Sequence, residues 1–304
     1  MYQPEQVLVP VDFSSFSRCA VAFARQLGAI QLVHAVGEMS ASMREVLFPY
    51  AALGEDDREL EAEVVEVARH KLKDYFEIDD DLRECFAGEP VLEFGAAKER
   101  FPRWAGRFDA DLIALGAFGE SGVYSAGLGS TSRRIVSAAS KPVALIRDYD
   151  PQVKVESILV VVDLGRESRK VLDVAMGLCA ALGAELEVLH VIPSPFLDDT
   201  NWMVERGLAI DVEALEAELR LRAEALMEEL VGSVEIPMAM QEQIDEAMQG
   251  WSIRFGDPAE EIGASVGERG VDLVVAGRGG AKRVGRVTSA LMADVARHLV
   301  VVPA

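Results

Sequence analysis

The chain has 304 residues, of which 50% are hydrophobic and 27% are charged, a balance typical of folded globular proteins rather than disordered or fibrous ones. This length suits two domains of ~150 residues, each with its own core. The formal net charge of -21 argues against nucleic acid or a membrane surface as a partner, because Lys and Arg supply the affinity for both.

Neither targeting signals nor metal-binding patterns stand out along the chain. The N-terminal segment has no basic region followed by an apolar stretch, and no later segment approaches the ~20 apolar residues of a membrane span, so we expect a cytoplasmic protein. Cys19, Cys85 and Cys179 are far apart and never in C-x-x-C spacing. We expect them to be buried small side chains rather than disulfide partners or metal ligands.

The first predicted elements form a β-α-β unit from Gln6 to Val36. An apolar run of strand length is followed by Asp12, an amphipathic helix, a Leu-Gly-Ala stop and a second strand that ends on His. The segment from Ser157 to Ile192 repeats this pattern, with Asp163 in the place of Asp12. The chain is therefore predicted to be a duplication of one α/β unit.

A long acidic segment follows the β-α-β unit in both repeats. In the first repeat, apolar residues recur at helical spacing: Leu60, Val64, Val67, Ala68 and Leu72. In the second repeat the corresponding set is Val212, Leu215, Leu219, Leu226 and Leu230. We expect helices that pack on the sheet with a solvated acidic face; the alternative is a lid or a partner surface.

The later elements also match between the repeats. A strand from Ala110 corresponds to one from Val271, and each is followed by a helix and a last apolar strand. Those last strands are predicted at Pro142 to Ile146 and at Leu299 to Val302. Short apolar strands that alternate with helices favour a mostly parallel, doubly wound sheet in each repeat. Charges and a proline interrupt the pattern at residues 147–157, so we expect domains at 1–150 and 151–304.

The motif that points to a ligand lies between the fourth strand and the last helix of the first repeat. Its spacing is G-x2-G-x9-G-[ST], formed by Gly116, Gly119, Gly129 and Ser130. The glycines let backbone N–H groups approach an anion at the carboxyl end of a strand. Ser130, Thr131 and Ser132 then begin the next helix, where the dipole favours negative charge. This predicts a phosphate cradle; the alternative is a glycine-rich turn with an ordinary serine cap.

Together these features resemble the universal stress protein family. The resemblance covers nearly the whole chain twice. It rests on the VPVDFS segment near the N-terminus, the Gly-x-Pro sequence at Gly88 and again at Gly256, the DLIALG strand and the glycine spacing. The expected fold is α/β, with two doubly wound, mostly parallel five-stranded sheets in tandem duplication. Their strand order is expected to be flavodoxin-like or adenine nucleotide alpha hydrolase-like.

The resemblance also implies which residues contact ATP, with or without Mg2+. Those beside adenine and the ribose in ATP-binding members correspond to Pro10, Val11, Asp12 and Ala35. Those beside the ribose and phosphates correspond to Leu115, Gly116 and Gly119. Those that hold the triphosphate correspond to Gly129, Ser130, Thr131 and Ser132.

The second repeat departs from this pattern. Aligned on the final strands, Gly285 lies opposite Gly129, Arg286 replaces Ser130, and the loop is shorter. We expect this repeat to bind ATP weakly or not at all. The basic residues of the short loop suggest a local anion site formed by Arg278, Lys282, Arg283 and Arg286. The alternatives are a solvated basic turn, or an Arg that itself fills the empty phosphate position.

The function implied by the resemblance is that of an ATP-binding stress-response regulator that acts through nucleotide-dependent conformation. Two alternatives stay open: a slow ATP hydrolase, and a non-nucleotide small-ligand-binding or chaperone-like scaffold. The sequence has no GxxxxGK[ST] motif, kinase signature or nucleophile motif, so no catalytic residue is assigned and any turnover is expected to be slow.

Each repeat ends in an apolar strand that would expose unpaired backbone groups at a sheet edge. Family dimers pair through this strand, so we expect the two repeats to form a dimer-like pair within one chain. A further homodimer would then need another surface, which the sequence does not identify.

Overall fold

A computed structural model of the chain describes residues 1–37, 57–76, 86, 88–118, 128–147, 154–193, 206, 211–280, 283–294 and 297–304. Cys85, Gly119 and Lys282, which the sequence analysis names, lie outside these residues. Within the described part the chain forms ten strands and nine helices, divided between the two repeats. No helix of this part is both long enough and apolar enough to cross a membrane.

The first repeat alternates short apolar strands with helices. Its elements are β1 (Gln6–Pro10), α1 (Ser15–Ala24), β2 (Ala29–Val36), α2 (Asp57–Phe76), β3 (Val91–Phe94), α3 (Ala97–Arg107), β4 (Leu112–Gly116), α4 (Ser130–Ala138) and β5 (Val143–Ile146). Ser14 caps α1, because its hydroxyl accepts a hydrogen bond from the Ser17 backbone N–H at 3.1 Å. The strands consist mainly of Val, Ile, Leu and Ala, as expected where both faces of a sheet are covered.

Within the described residues, the second repeat follows the same order with one additional helix. Its elements are β6 (Ser157–Val162), α5 (Ser168–Leu182), β7 (Glu185–Pro193), α6 (Val212–Gly232), α7 (Met238–Ala247), β8 (Met248–Gly256), α8 (Pro258–Arg269), β9 (Leu273–Gly277), α9 (Arg286–Asp294) and β10 (His298–Val302). Two helices end at glycines in the left-handed conformation, with φ of 66° at both Gly183 and Gly270. The additional helix α7 was not predicted from the sequence.

The ten strands form one continuous sheet in the order β3-β2-β1-β4-β5-β10-β9-β6-β7-β8. The α/β class and the mostly parallel sheet are confirmed, but the two expected five-stranded sheets are joined. The join is an antiparallel pairing of β5 with β10, in which Leu145 lies opposite Leu299 and Val143 opposite Val301. All the other pairs of named strands are parallel.

The strand order within each repeat is 3-2-1-4-5 and not the flavodoxin order 2-1-3-4-5. The third strand adds outside the second, and the chain then returns to place the fourth strand on the other side of the first. The long segment between the second and third strands is compatible with either order, so the sequence could not distinguish them. The point at which the order reverses lies between β1 and β4 in the first repeat.

The sheet separates two apolar layers, and each layer runs through both repeats. One layer contains α1, α2, α5, α6 and α7, with buried side chains such as Phe23, Leu72 and Met227. The other contains α3, α4, α8 and α9, with Trp104, Ile135 and Leu291. The helices α4 and α9 therefore lie on the same face of the sheet, above the joined strands β5 and β10.

The long acidic helices pack on the sheet through a narrower stripe than predicted. Leu72 of α2 is buried, whereas Val67 is 69% exposed. In α6 the buried residues are Ala223 and Met227, while Leu226 is 48% exposed. The helical spacing was therefore correct except at Val67 and Leu226, which lie off the buried faces of α2 and α6.

The described cysteines are buried thiols, as predicted. Cys19 and Cys179 are both buried. The Cys179 Sγ donates a hydrogen bond to the Ala184 carbonyl at 3.0 Å, and burial raises the pKa of Cys179 to about 11. This thiol therefore stays protonated and unreactive at neutral pH.

Gly116 is required by the packing of α1 against the end of β4. A Cβ on Gly116 would lie 2.6 Å from the Phe16 Cβ and 2.8 Å from the Phe16 backbone carbon. The matching glycine of the second repeat, Gly277, has more room, since its nearest neighbour would be the Val171 Cγ2 at 3.4 Å. The two repeats thus share a glycine at this place, but only in the first repeat would a Cβ clash with its neighbours.

We predict that Gly116→Ala destabilises the protein by about 1–3 kcal/mol, because the backbone of α1 must shift to admit the methyl group. The matched control Gly277→Ala is expected to be nearly neutral, since its Cβ meets only the end of a side chain. Urea unfolding followed by circular dichroism measures both changes. Equal losses of stability in the two variants would contradict this account of Gly116.

Candidate functional site

A cleft of about 230 Å³ opens at the carboxyl ends of β1, β2 and β4 in the first repeat. It lies where the strand order reverses, which is where ligands bind in open α/β sheets. Its lining includes all the predicted site residues that the structure describes: Pro10, Val11, Asp12, Ala35, Leu115, Gly116, Gly129, Ser130, Thr131 and Ser132. The remaining predicted residue, Gly119, lies outside the described residues.

The N-terminus of α4 forms the polar end of this cleft. Gly129 is the N-cap residue, so no side chain caps the helix, and its first turn contains no acidic residue. Within the described part of the chain, the backbone N–H groups of Ser130, Thr131 and Ser132 have no hydrogen-bond partner. Ser130 and Thr131 are also exposed. Three unpaired N–H groups and the helix dipole together make this end of the cleft suited to an anion.

The hydroxyl of Ser132 has a structural task. Its Oγ donates a hydrogen bond to the Gly116 carbonyl at 3.0 Å, which ties α4 to β4. In the second repeat the Thr288 Oγ1 donates to the Gly277 carbonyl at 2.7 Å in the same way. Since the repeat with the altered loop keeps this bond, the hydroxyl at this position serves the fold. Ser130 and Thr131 are exposed and line the cleft without this task.

Asp12 organises the turn between β1 and α1. Its Oδ1 accepts hydrogen bonds from the Ser14 N–H at 3.1 Å and from the Ser14 hydroxyl at 2.6 Å. Between them Phe13 has a φ of 64°, a left-handed conformation that is unfavourable for a bulky residue. Leu164 has a φ of 56° at the matching place, after Asp163, so both repeats keep the strained turn. Asp12 lines the cleft, and its Oδ2 has no hydrogen-bond partner within the described residues.

His34 joins β2 to β1 beside the cleft. Its Nδ1 lies 2.7 Å from the Val11 carbonyl, and the Nδ1 of His190 lies 2.9 Å from the Val162 carbonyl in the second repeat. The same contact in both repeats indicates a structural role.

Part of the lining was not predicted from the sequence. These further residues are Ser17, Val33, His34, Ala97, Trp104, Phe118 and Ile135. Trp104 is only 1% exposed, and its indole Nε1 has no hydrogen-bond partner within the described residues. Its spacing from Phe101 on α3 is a signal of burial, but helical periodicity alone does not show that a buried residue borders a cleft.

In the second repeat, two of the described loop arginines interact with other groups of the protein. Arg278 is 6% exposed, and its guanidinium donates hydrogen bonds to the carbonyls of Ala139 at 2.8 Å and Ser137 at 3.3 Å. Arg286 pairs with Asp257 at 3.1 Å. The predicted anion site around Arg278, Arg283 and Arg286 is therefore not supported, because two of its three described cations already have protein partners.

Arg278 and Arg147 hold the two repeats together in a reciprocal manner. Arg278 donates to carbonyls at the C-terminus of α4, which belongs to the first repeat. Arg147 of the first repeat donates to the carbonyls of Leu291 and Met292 in the last turns of α9. Each repeat thus places a positive charge at the negative end of a helix in the other repeat.

The alignment of the two phosphate loops is supported by equivalent backbone bonds. The Gly129 N–H donates to the Ala117 carbonyl at 3.1 Å, and the Gly285 N–H donates to the Arg278 carbonyl at 2.8 Å. Gly285 therefore lies opposite Gly129, as predicted, and Arg278 occupies the place of Ala117. The arginine at this position adds the hydrogen bonds to the Ser137 and Ala139 carbonyls of the first repeat.

Comparison with known proteins relates both repeats to one family. The model of the Universal stress protein family matches residues 4–147 and 154–303. A universal stress protein from Archaeoglobus fulgidus DSM 4304 has 18% sequence identity and a TM-score of 0.67, with 99% of each chain covered. A putative universal stress protein from Pseudomonas aeruginosa UCBPP-PA14 has 16% identity and a TM-score of 0.59, with 99% of this chain and 93% of that chain covered. No curated protein matches the sequence.

We predict that Arg278→Met destabilises the protein by about 1.5–3 kcal/mol, because buried carbonyls at the end of α4 lose a charged donor. The matched control is Arg286→Met, whose exposed ion pair with Asp257 contributes little. The measurement is the urea midpoint of each variant against the original chain. A control variant as destabilised as Arg278→Met would rule out a special role for Arg278.

Proposed function

Since the chain belongs to the universal stress protein family and carries the family's domain in both repeats, we propose that it is a stress-response regulator that binds ATP in its first repeat. The observation that carries this proposal is the uncapped N-terminus of α4 at the end of the cleft. Within the described residues, the first backbone N–H groups of α4 have no hydrogen-bond partner and, with the hydroxyls of Ser130 and Thr131, can donate hydrogen bonds to a phosphate chain. A cytoplasmic location stays a prediction.

The remainder of the cleft fits the other parts of a nucleotide. Val11, Val33 and Leu115 supply buried apolar surface against which a planar base can pack. Asp12 presents a carboxylate oxygen that can accept a hydrogen bond from a ribose hydroxyl. Among the described lining residues Asp12 is the only carboxylate. Mg2+, where it accompanies ATP, would therefore depend mainly on the phosphates.

We propose that the second repeat does not bind ATP. At the start of α9, Arg286 and Val287 stand in the places of Ser130 and Thr131, so both ligand-facing hydroxyls are missing. The Arg286 side chain is paired with Asp257. The features that the second repeat retains, the turn at Asp163 and the Thr288 bond, are those that serve the fold.

The proposed regulation has a physical route through α4. The N-terminus of this helix lies at the cleft, and its C-terminus accepts hydrogen bonds from Arg278 of the second repeat. A helix of nine residues spans about 13 Å and moves as a unit. A nucleotide that binds more tightly when α4 is shifted to one of two positions would favour that position. The shift would therefore change the contact of Arg278 with the C-terminus of the helix.

The first test of this proposal is the nucleotide content of the protein. We expect protein purified without added nucleotide to release ATP on denaturation, close to one per chain. Gly129→Val should abolish binding, because Gly129 has a φ of -54° that valine can adopt while its side chain fills the cradle. Ser130→Ala should weaken binding by about tenfold through the loss of one hydrogen bond. Chromatography of the released nucleotide and titration calorimetry measure these effects.

The matched control for this experiment is Arg286→Ala, which changes the equivalent position of the second repeat. It should leave the ATP content and affinity unchanged. An original chain that carries no nucleotide and binds none on titration would instead favour the non-nucleotide ligand or scaffold alternative.

The route through α4 has a separate test. We expect ATP to slow backbone amide exchange in α9, measured by hydrogen–deuterium exchange with mass spectrometry, because α9 follows the loop that Arg278 connects to α4. In Arg278→Met this slowing should be lost while ATP still binds. Exchange in α6, which lies on the opposite face of the sheet, is the internal control and should not change. Bound ATP without any effect on α9 in the original chain would contradict the route.

A further inference from the structure

A second cleft lies between the two repeats, on the face of the sheet that carries α4 and α9. Its volume is about 190 Å³. Its lining comprises Arg133, Ser137, Arg283, Val284, Ser289 and Met292. The first two belong to α4 and the others to α9 and the loop before it, so neither repeat forms this cleft alone. We call it the seam cleft.

The charge of the seam cleft is unbalanced. Arg133 and Arg283 line it from opposite repeats, and none of its described lining residues is acidic. Neither guanidinium has an ion pair or hydrogen bond with another described residue.

The nearby helix ends do not supply the missing negative charge. The C-terminal carbonyls of α4 accept hydrogen bonds from Arg278, and those of α9 accept hydrogen bonds from Arg147. Two arginines thus satisfy the negative helix ends. Arg133 and Arg283 remain as two exposed cations, one from each repeat, that line the same cleft.

We propose that the seam cleft binds a small, multiply charged oxyanion of the phosphate class. A guanidinium matches a phosphate through two parallel hydrogen bonds, and two guanidiniums on opposite walls can hold one anion between them. Ser289 adds a hydroxyl, whereas the Ser137 hydroxyl already donates to the Arg133 carbonyl. The volume far exceeds the ~10–15 Å³ that admits a single water, so a polyatomic ion has room.

The position of this cleft gives a bound anion a defined effect. Since its two cations belong to different repeats, the anion would link α4 to the loop before α9 and strengthen the contact that Arg147 and Arg278 already make. This site is separate from the ATP cleft, because Arg133 and Arg283 line the seam cleft and not the first one. The proposal does not depend on nucleotide binding.

The test is titration calorimetry of the full chain with inorganic phosphate and with pyrophosphate, at constant ionic strength maintained with chloride. We expect Arg133→Gln and Arg283→Gln each to weaken anion binding by tenfold or more. Arg134→Gln is the matched control, because Arg134 is exposed on the same helix but does not line the seam cleft. No anion binding by the original chain, or equal binding by all three variants, would overturn the proposal.

A second arm separates this site from the ATP cleft, where phosphate can also bind at the N-terminus of α4. The same titrations in Gly129→Val should still show anion binding that depends on Arg133 and Arg283. Loss of binding in Gly129→Val alone would assign the anion to the ATP cleft and overturn the proposal. Crystals grown with selenate give a direct readout, since an anomalous peak is expected between the two guanidiniums.

Discussion

The antiparallel pairing of β5 with β10 is the constraint on which the rest of the structure depends. All the residues of these two strands are buried, so each repeat alone would expose an apolar strand with unpaired backbone groups. Pairing removes both edges and makes one sheet from two. It also places α4 and α9 side by side on one face. The contacts of Arg147 and Arg278, and the seam cleft itself, exist only because these helices are neighbours.

Comparison of the repeats separates what the fold needs from what a ligand needs. The strained turn after the first strand, the histidine contact and the hydroxyl that ties the last helix to the fourth strand occur in both repeats. The differences gather at the ligand end of the cleft. Ser130 is replaced by Arg286, and Ala117 by Arg278, whose side chain now serves the contact between repeats. The first repeat thus has the features suited to binding a ligand, and the second has residues that stabilise the contact between the repeats.

Local pattern made much of this structure predictable. The β-α-β units follow from apolar periodicity, and the glycine spacing placed a phosphate-binding loop at the carboxyl end of β4, because strand ends of a parallel sheet meet at one edge. Pro10, Val11, Asp12 and Ala35 were expected from the family resemblance, and they line the first cleft. The pairing of the two repeats through their last strands was expected from the resemblance and agrees with the pairing of β5 with β10. The strand order within each repeat could not be predicted, since it depends on which strands meet in space. The role of Arg278 was missed for the same reason: its partner Ala139 is 139 positions away. From the sequence, Gly116 was assigned only to the ligand-binding motif, yet the absence of a Cβ there also leaves room for Phe16 of α1.

The covalent link between the paired strands changes how the assembly responds to dilution and to mutation. Two separate chains that pair through their last strands come apart as their concentration falls, whereas the β5–β10 pairing within one chain does not depend on the amount of protein present. In a pair of identical chains every substitution also appears on both sides of the two-fold axis. Here the two repeats have separate sequences. An arginine can therefore occur in one repeat and not in the other, whereas in a symmetric dimer it would occur in both chains.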